Sequence, residues 1–361
     1  MKSEYLNPQK ASIQVQQAKT IARHWVAEDA ISLPGFFGAF FHGSTAWLAD
    51  DAILPPSSDV DIMVVLEGEM PEVKLGKFRY QGVLLEVSYL ATNEVQSPEQ
   101  VLGNSHLAGS FRNNGILADP SGQLSAIQAV VGRQFAKEEW VHARCEHVQE
   151  KLRNNLRGLE TAALFHDQVS CWLFATGLTT HMLLVAGLKN PTVRTRYVAT
   201  KHLLQELGHN EFYEPLLALL GCSQITPARC TEHLAALSRV FDAASSVIKS
   251  PFFFASDLSD EARAIAIDGS QTLIDVGLHR EAIFWLVATY ARCQKVLYHD
   301  APVAVQERFH PGFRALLGDL GIQSADDLMI RGAQVEAFLP RLWEMTETIR
   351  KDIREIAERC V

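Results

Sequence analysis

No cysteine occurs in the first 144 residues, and none of the six that follow (Cys145, Cys171, Cys222, Cys230, Cys293 and Cys360) forms a C-x-x-C pair. That spacing excludes a dense disulfide framework and a short-spaced zinc site, and it predicts reduced, mostly buried thiols. No uninterrupted apolar run approaches the roughly 18 residues of a membrane span. The polar start, Met1-Lys2-Ser3-Glu4-Tyr5, lacks the apolar core of a signal peptide. A cytoplasmic protein is expected, with no membrane partner. Clustered basic residues are also scarce: 33 Lys and Arg stand against 42 Asp and Glu, a formal net charge of -9. Residues 1–135 carry 9 basic and 14 acidic residues, a balance of -5, and the remainder carries 24 and 28, a balance of -4. Neither half is a nucleic-acid arm, because neutralising phosphates takes clustered Lys and Arg. The acidic balance favours a cationic small molecule through long-range attraction. No internal repeat or low-complexity tract is present, which excludes solenoid architectures.

What is there is a chain of 361 residues, 47% hydrophobic, enough for two domains with full cores. Residues 11–30 have helical spacing through Ile13, Ala18, Ile21, Ala22 and Trp25, until Pro34-Gly35 breaks it. Phe36 to Phe41 predicts a buried strand. Gly43-Ser44 follows, with a short helix expected over Thr45 to Asp50 capped by Ser44. After the turn Pro55-Pro56-Ser57-Ser58, Val60 to Leu66 predicts a second strand. Phe78 to Tyr80 and Val83 to Leu90 flank Gln81-Gly82 as a hairpin, and Ile116 to Ala118 predicts a last short strand.

From Ser121 onward the spacing is helical, over 122–135, 138–160, 162–187, 192–208, 226–249, 259–267, 271–298 and 331–358. Asn190-Pro191, Gly208, Gly221, Pro227, Pro251 and Pro311 are read as breakers. The expected fold is therefore α+β: a small mixed-sheet domain over 1–135 followed by an all-helical bundle domain over 136–361.

Chemistry concentrates in Phe40-Phe41-His42-Gly43-Ser44 and Ser58-Asp59-Val60-Asp61. Side chains two apart on a strand share a face, so Asp59 and Asp61 emerge together at the start of an apolar strand. Two carboxylates that close repel unless a cation lies between them, and hard oxygen pairs suit Mg²⁺. The Gly43-Ser44 turn offers free backbone N–H groups to an anion such as a phosphate. Glu86 lies inside the strand Val83 to Leu90, on the same face as Leu84 and Ser88. A glutamate there needs pairing or a metal. It would serve as a third ligand or as the base for an attacking hydroxyl. Glu94 is the alternative third carboxylate. In the helical half, Arg194, Lys201 and His202 fall broadly on one side of a helix and could reach a triphosphate, against the simpler reading of a solvated face. His42 reads as packing, and Asp119 before Pro120 as a turn residue.

The order of apolar strand, Gly-Ser, then Ser-Asp-x-Asp leading an apolar strand resembles the nucleotidyltransferase superfamily that includes DNA polymerase β. In layout the chain resembles more closely the small bacterial members that adenylylate aminoglycoside and lincosamide antibiotics. The resemblance covers residues 36–119. It implies that Gly43 and Ser44 bind the triphosphate, that Asp59 and Asp61 bind Mg²⁺, and that Glu86 is the third acidic residue. The implied reaction moves a nucleoside monophosphate, AMP from ATP by default, to a hydroxyl of a small acceptor, an aminoglycoside-like antibiotic being one such acceptor. Arg196 and His202 also loosely resemble the arginine–histidine spacing of HEPN-type ribonucleases. The long Ser44–Asp59 interval and the large helical half leave a second reading, an antitoxin-like or regulatory protein that modifies or binds a protein partner. Oligomeric state is left open.

Overall fold

The computed structural model describes residues 13–357. Met1 to Tyr5, the first two residues of the expected helix at 11–30, the last residue of the segment 331–358, and Cys360 lie outside them. Strand β1 (Ile13–Gln14) pairs with β3 (Ile53–Leu54), and helix α1 (Val15–Glu28) leaves β1 directly. The main sheet contains β2 (Phe36–His42), β4 (Val60–Leu66), β5 (Gly76–Tyr80), β6 (Val83–Ala91) and β7 (Ile116–Ala118). Their order is β5-β6-β4-β2-β7. Only β4 and β6 run parallel; the other pairs are antiparallel, so the sheet is mixed. The β5–β6 hairpin closes at Gln81 and Gly82, with φ of 47° and 83°. Positive φ at both positions is the turn whose twist matches a two-residue hairpin.

The sheet's two faces follow from its alternation. Ala39, Phe41, Val60, Ile62, Val64, Leu66, Val83, Leu85 and Val87 bury under α1, against Val15, Ala18, Ala22, Trp25 and Val26. On the other face Phe40, Met63, Val65 and Leu90 enter a core that continues into the helices as far as Ile356. The two units expected at 1–135 and 136–361 thus share one apolar core. After the short helices α2 (Pro98–Gly103) and α3 (Ala108–Arg112), Leu124, Ile127 and Val131 of α4 (Gln123–Gln134) join it beside Val141 to Leu159 of α5 (Glu138–Thr161).

At the centre of the bundle lies α6 (Phe165–Ala186), with Trp172 and Leu173 fully buried. By length and composition α6 could cross a membrane, and 72% of its most apolar window is buried inside the protein. The hydroxyls of Thr176, Thr179 and Thr180 donate to carbonyls of their own helix, which lets polar residues sit in a core position.

Several expected boundaries move. The helix expected at 192–208 is α7 (Arg196–Glu206), because Asn190-Pro191 and a positive φ of 53° at Leu188 hold residues 188–195 in a loop. Helices α8 (Tyr213–Leu220) and α12 (Val303–Asp319) lie in stretches where no helix is expected. After α9 (Pro227–Val247), the segment expected at 259–267 is a series of short turns, and the one expected at 271–298 begins as a separate helix, α10 (Gly269–Asp275). Helix α11 (His279–Asp300) starts only past Gly277, whose φ is 81°. Pro311, read as a breaker, lies inside α12 (Val303–Asp319). Helix α13 (Ala325–Asp352) begins earlier than expected, where Ser324 accepts from the Asp327 N–H at 3.2 Å. A shared core predicts one calorimetric unfolding transition for the whole chain, with Trp172→Ala lowering it as a unit by about 3–5 kcal/mol. Two resolved transitions would contradict that continuity.

Candidate active site

Where the second face of the sheet runs out of apolar residues, it turns abruptly to charge. Cross-strand partners share a face, and the register sets His42 opposite Asp61, Asp61 opposite Glu86, and Glu86 opposite Lys77. One transverse row of titratable groups therefore crosses β2, β4, β6 and β5. Asp59, two residues before Asp61, points the same way. One oxygen from each of Asp59, Asp61 and Glu86 lies within 4.8 Å of the others. The expected three-carboxylate cluster is assembled, by parallel pairing of β4 with β6. Glu94 ends a turn after β6 and is not part of it.

Lys77 holds the cluster together. Its ammonium contacts Glu86 Oε2, Asp59 Oδ2 at 3.2 Å and Asp257 Oδ1 at 2.8 Å, with only 6% of the side chain exposed. Lys74 contacts the other oxygen of Glu86. Asp257, on a turn between α9 and α10, takes its second oxygen to Arg292 of α11 at 2.9 Å. Neither lysine was read as a site residue, yet Lys77 was legible: a two-residue loop at Gln81-Gly82 puts it opposite Glu86 by counting. Asp257 and Arg292 carry no local signal.

The charges are unevenly compensated. Burial works against ionised Glu86, but Lys77 and Lys74 hold its pKa down at about 2. Burial raises Asp59 above the ordinary carboxylate range, with Lys77 opposing. Asp61 is raised well above that range by burial and by the charges of Asp59 and Glu86. Among the described residues it makes no ion pair within 4.0 Å. Lys77 stays above the ordinary lysine range: burial opposes its charge, and Asp59, Asp257 and Glu86 outweigh it.

Gly43 follows β2 with φ of 60°, and a Cβ built on it would stand 2.0 Å from Asp61 Oδ2. Glycine is required there by both conformation and contact. The helix expected at Thr45 to Asp50 is a single 3-10 turn, Ser44–Ala46, with Gly43 rather than Ser44 at its cap. Ser44 lines a cavity of about 300 Å³ with Lys189, Asn190, Thr192 and Thr195 and with Ala199, His202, Leu203 and Glu206 of α7. Arg194 reaches the loop before Asp59, with Nη2 3.4 Å from the Ser57 carbonyl.

Lys201, expected near the triphosphate, is engaged elsewhere. It pairs with buried Glu281 at 3.1 Å, and Glu281 lies about three turns of α11 before Arg292, about 16 Å at a helix's rise. Lys201 thus belongs to the far end of α11. The HEPN-like pair also separates: Arg196 is buried over Phe284 at 4.0 Å while His202 lines the cavity. His42 is packed as expected, its Nδ1 2.7 Å from Ser110 Oγ and its ring against His106, and burial lowers its pKa to about 4. Asp119 is the expected turn residue, accepting from the Ser125 N–H at 2.8 Å. No protein-family model matches the chain, and no curated protein matches it.

Two outcomes follow from this geometry. The raised pKa of Asp61 means that the folded state holds a proton the unfolded chain has released, so stability falls as pH rises between the ordinary carboxylate value and the raised one. Asp61→Asn should therefore raise the thermal midpoint of the protein in EDTA at neutral pH, with the gain vanishing in acid. A lower midpoint at neutral pH would refute the assignment. Gly43→Ala should displace Asp61 and weaken Mg²⁺ binding, read by calorimetry, by roughly 10–100-fold; unchanged affinity would show that Asp61 does not need the glycine.

Proposed function

We propose that this chain is a magnesium-dependent nucleotidyltransferase that moves AMP from ATP to a hydroxyl of a small acceptor. One observation carries the reading: three carboxylates converge beside a glycine turn that has no room for a side chain, at the end of an otherwise apolar sheet face. The donor set fits a divalent cation. It consists of hard oxygens close together, and Asp61 is the member that makes no ion pair among the described residues. Asp59 and Asp61 would hold the ion, with Glu86 as the third carboxylate. Bound Mg²⁺ supplies positive charge to the phosphate oxygens and to the leaving group.

The chain's own contribution is positioning and charge placement. Backbone N–H groups at Gly43 and Ser44 would receive the polyphosphate, with Arg194 beside the Asp59 loop. In the transfer, the acceptor oxygen bonds to the α-phosphorus, the bond from that phosphorus to the bridging oxygen breaks, and pyrophosphate leaves. Of the two roles expected for Glu86, the two lysines favour charge-holding over proton abstraction, since a carboxyl with a pKa of about 2 is a weak base. The hydroxyl proton then passes to water.

The test is pyrophosphate release from ATP in the presence of Mg²⁺ and a panel of hydroxylated acceptors. Asp61→Asn should reduce the rate by roughly 100- to 1,000-fold while the protein remains folded. An unaltered rate, or release that survives EDTA, would reject the proposal.

A further inference from the structure

The charges around the carboxylates also bear on which acceptor is used; the argument rests on the nucleotidyltransferase reading. In-line displacement places the attacking oxygen opposite the leaving pyrophosphate. If pyrophosphate leaves on the Gly43–Ser44 side, beyond β2, the acceptor approaches over the other side of β4, toward β6 and β5. Sheet order puts Glu86 and Lys77 there, with Lys74 just before β5. The helical half closes that side with Asp257 and Arg292.

On this side the two carboxylates, Glu86 and Asp257, are already engaged by cations. Glu86 is engaged by both Lys74 and Lys77, one on each oxygen. Asp257 is engaged by Lys77 on one oxygen and Arg292 on the other. Three cations thus meet three carboxylates, Glu86, Asp257 and Asp59. Lys77 and Arg292 are largely buried, with 6% and 14% of their side chains exposed. Lys74 is the most accessible at 21%, and among the described residues its ammonium, which has three N–H donors, pairs with Glu86 alone. A polycationic antibiotic would meet like charge at Lys74, whereas an anionic group would find donors ready there. The net charge of -9 concerns the whole surface and not this wall.

We infer that the acceptor is a hydroxyl compound carrying an anionic group, such as a sugar phosphate or sugar acid, with Lys74 contacting that group and setting specificity. The net-charge argument for a cationic acceptor yields to this local arrangement.

The experiment compares kcat/KM for pyrophosphate release with three acceptor sets, namely sugar phosphates and sugar acids, neutral polyols, and aminoglycosides, using the full chain with Mg²⁺ and ATP. Anionic acceptors should be preferred. Lys74→Glu should lower the ratio of anionic to neutral acceptor kcat/KM by about tenfold or more. Lys74→Gln, which keeps a hydrogen-bond donor to Glu86, should lower it less and serves if the glutamate variant does not fold. Preference for aminoglycosides, a ratio unmoved in both variants, or release with no anionic acceptor would overturn the inference. Calorimetry of Mg²⁺–ATP on the same preparation separates the two failures: binding retained means that only the acceptor class is wrong, and binding absent removes the nucleotidyltransferase reading with it.

Discussion

A single buried ammonium group makes the rest of the site possible. Lys77 lies among Asp59, Glu86 and Asp257, and without it three carboxylates would face each other across a partly dry sheet end. Such a cluster is costly, because ions leaving water lose hydration that only close opposite charge restores. Lys77 supplies that charge to Glu86 and Asp59, but among the described residues it makes no ion pair with Asp61, whose pKa stays well above the ordinary carboxylate range. Ionised Asp61 is therefore the least compensated carboxylate of the three, next to the turn at Gly43. On the proposed reading a divalent cation would complete the balance there, while the lysine lets the three carboxylates lie close together.

The same lysine ties the sheet to the helices. Asp257 comes from a turn of the helical half and is held from behind by Arg292. Gly76, the first residue of β5, has no room for a Cβ because Ser256 lies 2.4 Å from where it would be. The edge strand β5 is thus covered, as exposed sheet edges need to be, and the residue next to the contact is the one that organises the carboxylates. Closing the sheet edge and compensating the site are one structural solution. It also explains why the apolar core crosses the boundary near residue 135: the helices complete the second face of the sheet over Phe40, Met63 and Val65, and their charged turns complete its polar end.

How much of this was legible in the sequence varied with the range of the interaction. The largely apolar runs Val60 to Leu66 and Val83 to Leu90 show both strands, and a period of two, a local property, shows which of their residues share a face. The cluster itself needed β4 to lie beside β6, which no spacing states, and the Gly-Ser turn supplied that expectation only through resemblance. Lys77 was within reach of counting across Gln81-Gly82. Asp257 was not: it meets Lys77 from 180 positions away along the chain. The helical half shows the opposite limit. Helical spacing is clear in Arg196 to Glu206, but whether Lys201 or His202 faces the cleft depends on how α7 is rotated against α11, and buried Glu281 decides that for Lys201.

The energetics argue that the charged row has a use beyond stability. On the same sheet face Met63 and Val65 are buried apolar residues, and continuing that pattern to positions 61 and 86 would extend the core. Replacing buried ionic groups with well-packed apolar ones is often neutral or stabilising by about 1–4 kcal/mol. Instead the chain carries an unpaired aspartate, a glutamate that occupies two lysines, and a glycine in a left-handed conformation that an aspartate oxygen leaves no room to replace. Each departs from what folding alone would select, and all three meet at one point. Departures of that kind cluster where a protein accepts instability for chemistry. A structural ion-pair network would have balanced its charges. This one is left unbalanced at Asp61, on the side of the sheet where the glycine turn opens.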